Sequence, residues 1–199
     1  MKVVKKYSSN DFKGFDWLDF DYLPGSKGFK FEVYFKEPKD LVSKSILIFY
    51  SLFRSFLDDV LITTFGQDGE WGNFCLDTWD IENDRYDYSP HNKKEPTASY
   101  LSMLNDSGIE PEYNGYCKCI NWDKFLYVMF HCVAQHTAPY SMMFYEPKNE
   151  FVFYFHHSGS FGIYYKDLNS SIKKVIRKVQ EENLEIKNTN DKRVSSIAM

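Results

Sequence analysis

Met142-Met143-Phe144-Tyr145, Phe151-Val152-Phe153-Tyr154-Phe155-His156 and Ser160-Phe161-Gly162-Ile163-Tyr164-Tyr165 lie within one short stretch of the chain. These runs are aromatic and β-branched, short, and separated by turn residues, which is the signature of strands. Glu146-Pro147-Lys148-Asn149 joins the first run to the second, and Ser158-Gly159 joins the second to the third. Gly159 supplies the positive φ that a tight hairpin turn requires. The stretch 141–165 is therefore expected to form three antiparallel strands.

Working outward, Asn121 is a good N-cap and Asp123 falls in the first turn that follows, where the helix dipole favours an acid. The helix expected from Trp122 to about His136 is apolar on most faces, which places it centrally, and Pro139 stops it. On the other side of the strands, Leu168, Ile172, Val175, Ile176 and Val179 line one face of a helix. Lys173, Lys174, Arg177 and Lys178 line its other face. From Lys187 the chain is polar and is expected to fray.

Toward the N-terminus, Phe12, Phe15, Trp17, Phe20 and Tyr22 interleave with Asp11, Asp16, Asp19 and Asp21, before a turn at Leu23-Pro24-Gly25-Ser26. Phe29 to Phe35 alternates as a half-buried strand ended by Pro38. Asp40 caps a helix whose stripe, Val42, Ile46, Phe49, Phe53, Phe56 and Val60, predicts about five turns. A strand over 46–50 is the competing reading. Gly66 to Gly72 reads as a loop and 73–82 as a strand with one acidic edge. The segment 83–94 reads as an exposed loop, Thr97 to Asn105 as a short helix closed by Gly108, and Tyr116 to Ile120 as a short strand.

The whole is expected to be α+β: a mainly antiparallel sheet with a central apolar helix and peripheral helices. A single domain over 1–186 and a flexible tail over 187–199 follow. The chain has 199 residues, enough for a sizeable core, and 19% of them are aromatic, so most Phe and Tyr are expected inside or on strand faces.

Charge and motifs exclude several function classes. The net charge of −4 argues against nucleic-acid binding, which needs clustered Lys and Arg. No apolar run approaches the ~20 residues of a membrane span. Lys2, Lys5 and Lys6 are followed by no apolar core of a secretory signal, so a cytoplasmic location is expected. The four cysteines, Cys75, Cys117, Cys119 and Cys132, are then expected as reduced thiols. Cys117 and Cys119 with His131, Cys132 and His136 are zinc-ligand types, but their spacing fits no paired zinc motif. Cys75, Cys117 or Cys119 with His131, His136, His156 or His157 could form a nucleophile and base only if the fold brings them into hydrogen-bond reach. His156 and His157, as neighbours in a strand, point to opposite faces and share a ligand only if the strand breaks there. No phosphate-loop motif is present. No catalytic residue, metal or cofactor is expected.

Charge also supplies the one positive signal. Between Asp58 and Asp87 lie nine acids (Asp58, Asp59, Asp68, Glu70, Asp77, Asp80, Glu82, Asp84 and Asp87) and one base, Arg85. Trp71, Trp79, Tyr86 and Tyr88 are interleaved with them. A solvated face is the bland reading. The functional one is a recognition surface in which the acids attract a basic partner and the aromatics anchor it. Asp77, Trp79, Asp80, Glu82, Asp84, Tyr86 and Asp87 are the candidate partner-binding residues.

In general character the chain resembles bacterial immunity proteins of polymorphic-toxin and contact-dependent inhibition systems. The resemblance is carried by an acidic α+β chain rich in Phe, Tyr and Trp without a catalytic motif. It shows most in Trp79-Asp80-Ile81-Glu82-Asn83-Asp84 and in Tyr145 through the 151–165 hairpin. It implies a cognate toxin domain as partner, often a nuclease with a basic surface, blocked at its active site or nearby. It carries over no individual functional residue. The competing readings are a non-catalytic adaptor and a Cys/His-dependent hydrolase.

Overall fold

The computed structural model describes residues 1–8, 12–19, 22–35, 40–65 and 69–197, with side chains to Val194. Asp11, Phe20, Asp21, Pro38, Gly66 and Asp68, which enter the sequence reading, lie outside the described residues. The strands are β1 (Val4–Lys6), β2 (Phe29–Tyr34), β3 (Leu61–Thr63), β4 (Trp79–Asp80), β5 (Arg85–Tyr86), β6 (Cys117–Cys119), β7 (Met143–Glu146), β8 (Phe151–His156), β9 (Ser160–Tyr165) and β10 (Glu185–Lys187). The helices are α1 (Leu41–Phe53), α2 (Glu95–Ser107), α3 (Trp122–Ala134), α4 (Ser170–Glu181) and α5 (Lys192–Ile197). Eight of the strands form one antiparallel sheet in the order β1-β6-β3-β7-β8-β9-β2-β10, and β4 and β5 form a separate hairpin. The fold is α+β. Among the described residues no helix is long and apolar enough to cross a membrane.

The three strands expected over 141–165 are β7, β8 and β9, joined in register with Phe144 opposite Phe153 and Phe153 opposite Ile163. Gly159 takes φ +76° in the β8–β9 turn. Alternation sorts their side chains onto two faces. Phe144, Phe151, Phe153, Phe155, Phe161 and Ile163 meet the helical layer, where Phe49 and Phe53 of α1, Phe130 of α3 and Ile172 and Val175 of α4 complete the core. Met143, Tyr145, Val152 and Tyr164 face the other way, against Phe12, Phe15, Trp17 and Leu18. The aromatic N-terminal segment thus covers the back of the sheet, and Phe15 stacks on Trp17 at 5.2 Å. Because both faces are covered, β9 is buried along its whole length and shows no apolar/polar alternation.

The caps expected at Asp40 and Asn121 form, and Asn169 supplies one that the sequence reading did not name. Asp40 accepts from the Ser43 amide, Asn121 from that of Lys124, and Asn169 from those of Ser171 and Ile172. Gly108 closes α2 in the left-handed conformation. Pro96 lies in the first turn of α2, which begins two residues before the expected Thr97.

Other elements differ from expectation. α1 is shorter than its apolar stripe, ending at Phe53 with a 3-10 turn over Arg54–Phe56. Asp58 and Asp59 would fall at the C-terminal end of a longer helix, where the dipole disfavours acids. Leu61-Ile62-Thr63 instead forms β3, which pairs with β7 and β6. The competing strand over 46–50 is not formed, since those residues are helical. α3 ends at Ala134, before Pro139, because His136 turns out at φ +55°. The strand expected over 73–82 is replaced by 3-10 turns at Trp71–Phe74 and Leu76–Thr78, leaving Trp79–Asp80 alone as strand. Cys75 and Thr78 are buried from this irregular backbone while Leu76 is exposed, so the alternation of residue types does not sort the side chains onto two faces. The loop expected over 83–94 holds β5 and a 3-10 turn at Pro90–Asn92. Finally, Lys187 closes β10, Asp191 accepts from the Tyr165 hydroxyl, and Val194 is fully buried. The polar segment expected to fray is therefore packed as far as Val194.

Candidate functional site

The acidic, aromatic stretch forms a projecting hairpin. β4 and β5 pair Trp79 with Tyr86 and Asp80 with Arg85. The turn between them is built by Asp80, whose Oδ1 accepts from the Glu82 and Asn83 amides and whose Oδ2 accepts from Asn83 Nδ2. These bonds, the Asn83 side chain foremost, hold the Asp80 carboxyl below the ordinary carboxylate range. Asp84 closes the turn at φ +51°, a conformation that Asp tolerates better than most residues. At the base, the Asp87 amide donates to Thr78 O at 2.8 Å and the Leu76 amide to Thr137 O at 2.8 Å, tying the hairpin to the end of α3.

Its aromatic row is ordered. Trp79 meets Tyr86 edge-on at 4.9 Å, and Tyr86 stacks on Tyr88 at 5.9 Å with planes 4° apart. Tyr88 is half-buried and its hydroxyl donates to Asn73 Oδ1 at 2.8 Å and, more weakly, to Glu70 Oε2 at 3.5 Å. Burial first, then Glu70 and Glu112, push the Tyr88 phenol up to about 12. Beyond Tyr88 the row is open: Trp79 is 41% exposed, Tyr86 44% and Ile81, at the tip, 83%.

The seven candidate residues divide by what they touch. Asp77 is turned toward α2, where its Oδ2 accepts from the Lys94 amide and its Oδ1 from the Thr97 hydroxyl. Lys94, the N-cap of α2, offers no side-chain acceptor of its own, so Asp77 caps that helix from a distance in sequence. Asp80 is committed to the turn. Asp87 accepts from the Ser89 amide and pairs with Lys93, which lower its carboxyl in that order. Glu82 and Asp84 are exposed, and among the described residues neither side chain has a hydrogen bond or ion pair. Of the other acids of the stretch, Glu70 meets the row through the Tyr88 hydroxyl. Asp59 pairs with Lys148, in the turn between β7 and β8. Sequence reading missed Leu76 and Ile81, which are exposed large apolar residues of the same surface. Ile81, set between Asp80 and Glu82, carried a signal of exposure, whereas Leu76 follows the buried Cys75 and fell within the strand expected over 73–82.

The cysteine and histidine candidates separate. Cys75 and Cys132 face each other, Sγ to Sγ 3.8 Å, in the core. Cys117 and Cys119 lie on β6, and burial pushes the Cys119 thiol up to about 12 and the Cys117 thiol higher still. Among the described residues no cysteine is hydrogen-bonded to a histidine, and His131 Nδ1 lies 3.4 Å from Glu95. Nor does any group of three His, Cys, Asp or Glu side chains among them converge as metal ligands. The two adjacent histidines do differ from expectation. β8 ends at His156, so the turn brings the His157 ring to within 4.1 Å of it, and His136 lies 5.2 Å from His157. Neither a family model, nor a curated protein, nor a solved structure matches this chain.

Proposed function

We propose that this protein is an immunity or inhibitor protein that binds and neutralises a cognate toxin domain, docking the β4–β5 hairpin on a basic surface of that partner. The observation that carries the reading is the exposure of Trp79, Ile81 and Tyr86 together on one hairpin whose turn is held by Asp80. Large apolar side chains kept out of the core on a pre-ordered support suit a buried anchor at an interface. Glu82 and Asp84, with no neutralising partner among the described residues, flank those anchors and favour a basic surface. A nuclease presents such a surface to phosphates, and an inhibitor that offers carboxylates there needs no catalysis. The likeness in composition to toxin-immunity proteins supports the same reading. Asp77 and Asp80 serve the fold of the site, while Glu82, Asp84, Trp79, Ile81 and Tyr86 are its contact residues.

The test is association with the product of a toxin gene adjacent to this one, measured at two salt concentrations. Glu82→Gln with Asp84→Asn should slow association and flatten its salt dependence. Trp79→Ala should speed dissociation by roughly 30-fold, the effect of losing an interface hot spot of about 2 kcal/mol. Binding that both changes leave untouched in folded protein rejects the hairpin. Association with a partner that has no toxicity favours the adaptor reading.

A further inference from the structure

A small socket opens at the foot of the hairpin, with a volume of about 140 Å³. Phe65, Phe74, Leu76, Pro139 and Tyr140 supply its apolar lining, and Glu70 is among its lining residues. The space suits one side chain, since a cavity of about 150 Å³ accommodates a benzene ring. Two of the lining rings, Phe65 and Tyr140, contact each other at 4.6 Å, and Tyr154 meets Phe65 edge-on at 5.3 Å, so that wall is braced from the sheet. The Thr64 hydroxyl donates to Gly69 O, which joins two of the lining residues.

The state of Glu70 gives the socket its chemistry. Its Oε2 accepts from Asn73 Nδ2 at 3.1 Å and from the Tyr88 hydroxyl. Both donors are neutral. Among the described residues no Lys, Arg or His pairs with this carboxylate, and its Oε1 has no hydrogen-bond partner. By contrast, Asp106 and Glu110, which line the larger cleft of about 600 Å³ on the other side of Tyr88, already pair with Lys124 and Lys6. The socket is also continuous with the hairpin. The row Trp79, Tyr86, Tyr88 ends on Glu70, and Leu76 both lines the socket and leads into β4.

We propose that this socket receives an arginine side chain of the partner, with the guanidinium stacked on the Phe65–Tyr140 wall and bonded to Glu70. The proposal rests on the reading of the hairpin as a dock for a basic partner, and it names the contact that fixes how that partner is seated. Arginine fits better than lysine because a planar guanidinium stacks on aromatic faces and presents paired donors to a carboxylate. Its aliphatic stem would lie along Leu76 and Pro139.

The test uses N-acetyl-arginine amide as the probe and the full chain as the receptor, followed by the nuclear magnetic resonance shifts of the Phe65, Phe74 and Tyr140 rings. Saturable shifts at these rings that weaken at high salt are expected, with N-acetyl-norleucine amide producing much smaller ones. Glu70→Gln should weaken the arginine probe roughly two- to fivefold, the range of a single exposed ion pair. Tyr140→Ala should weaken it as well, which keeps the test available if Glu70→Gln does not fold. No saturable shift into the tens of millimolar, or equal binding of the norleucine probe, overturns the proposal. The hairpin reading is judged separately, by the toxin association of the Trp79 and Glu82/Asp84 variants. Probe binding without any effect of those variants keeps the socket and removes the hairpin, and the reverse result removes the socket alone.

Discussion

Phe53 of α1 lies flat on Phe153 of β8, ring centroids 3.8 Å apart and planes 11° from parallel. Both rings are fully buried, and Phe153 continues the stack to Phe144 at 5.0 Å. This contact joins the helical layer to the middle of the sheet, so it couples two elements that sequence places a hundred residues apart. Phe53→Ala should destabilise the protein by about 3–5 kcal/mol, through lost burial and the cavity left behind. Phe53→Leu should cost clearly less, because most of the volume stays. Denaturant unfolding with an unchanged slope is the measurement, and equal effects for the two variants would mean that the stack itself does not hold the layers together.

Gly162 stands opposite Tyr154 in the β8–β9 ladder, and the Tyr154 ring lies across it. A Cβ at Gly162 would come within 2.6 Å of that ring, although nothing in the backbone conformation there demands glycine. Gly162→Ala should therefore cost about 1–3 kcal/mol by overpacking. The cost should shrink when Tyr154→Ala is made first, since the obstacle is then gone. A double-mutant cycle gives the answer, with additive effects counting against the steric account.

Asp77 reaches across from the 3-10 turn before β4 to serve the start of α2. Asp77→Ala removes the acceptor for the Lys94 amide and strands the fully buried Thr97 hydroxyl. A loss of about 1–3 kcal/mol is expected, combining a helix cap with an unsatisfied buried donor. Thr97→Val should recover part of this loss. Circular dichroism during thermal unfolding would detect it.

His156 provides a pH signature. Burial, and next the neighbouring His157, lower its pKa from the ordinary 6.5, while Glu32 opposes the shift. In the window below 6.5 the unfolded chain takes up a proton that the folded chain refuses, so stability should fall as pH drops through that window. The contribution is intact above 6.5 and is lost as pH falls through the folded value. His156→Gln should flatten this part of the stability profile. An unchanged profile would show that another group dominates the titration.

Legibility in the sequence followed the physics of each element. β7, β8, β9 and α4 were readable because their periodicity is local and Gly159, which marks the tight turn, acts through backbone conformation. β3 was not, since Leu61 and Ile62 continue the apolar rhythm of α1 and only the acids at 58 and 59 mark the change. The 73–82 segment was misread because its residue types alternate while its burial does not: Cys75 and Thr78 are buried from irregular turns, and Leu76, Trp79 and Ile81 are exposed. The hairpin was visible as a composition of acids and aromatics. Its shape depended on the Asp80 to Asn83 bonds, and the separate duty of Asp77 depended on a contact with α2 that spacing cannot reveal. The socket beside it draws on Phe65, Glu70, Phe74 and Leu76 and on Pro139 and Tyr140, which only the tertiary fold brings together.

The described eight-stranded sheet ends in β1 on one side and β10 on the other, each three residues long. Lys5 and Lys6 stand in the first and Glu185 and Lys187 in the second, all exposed. A sheet this wide and this rich in Phe and Tyr would be a template for fibrous self-assembly if its margins were long and apolar. Its short, charged margins leave an incoming strand few backbone groups to join and would leave those charges poorly solvated. Replacing these charged residues with Val or Thr should therefore make the protein polymerise while leaving its fold intact.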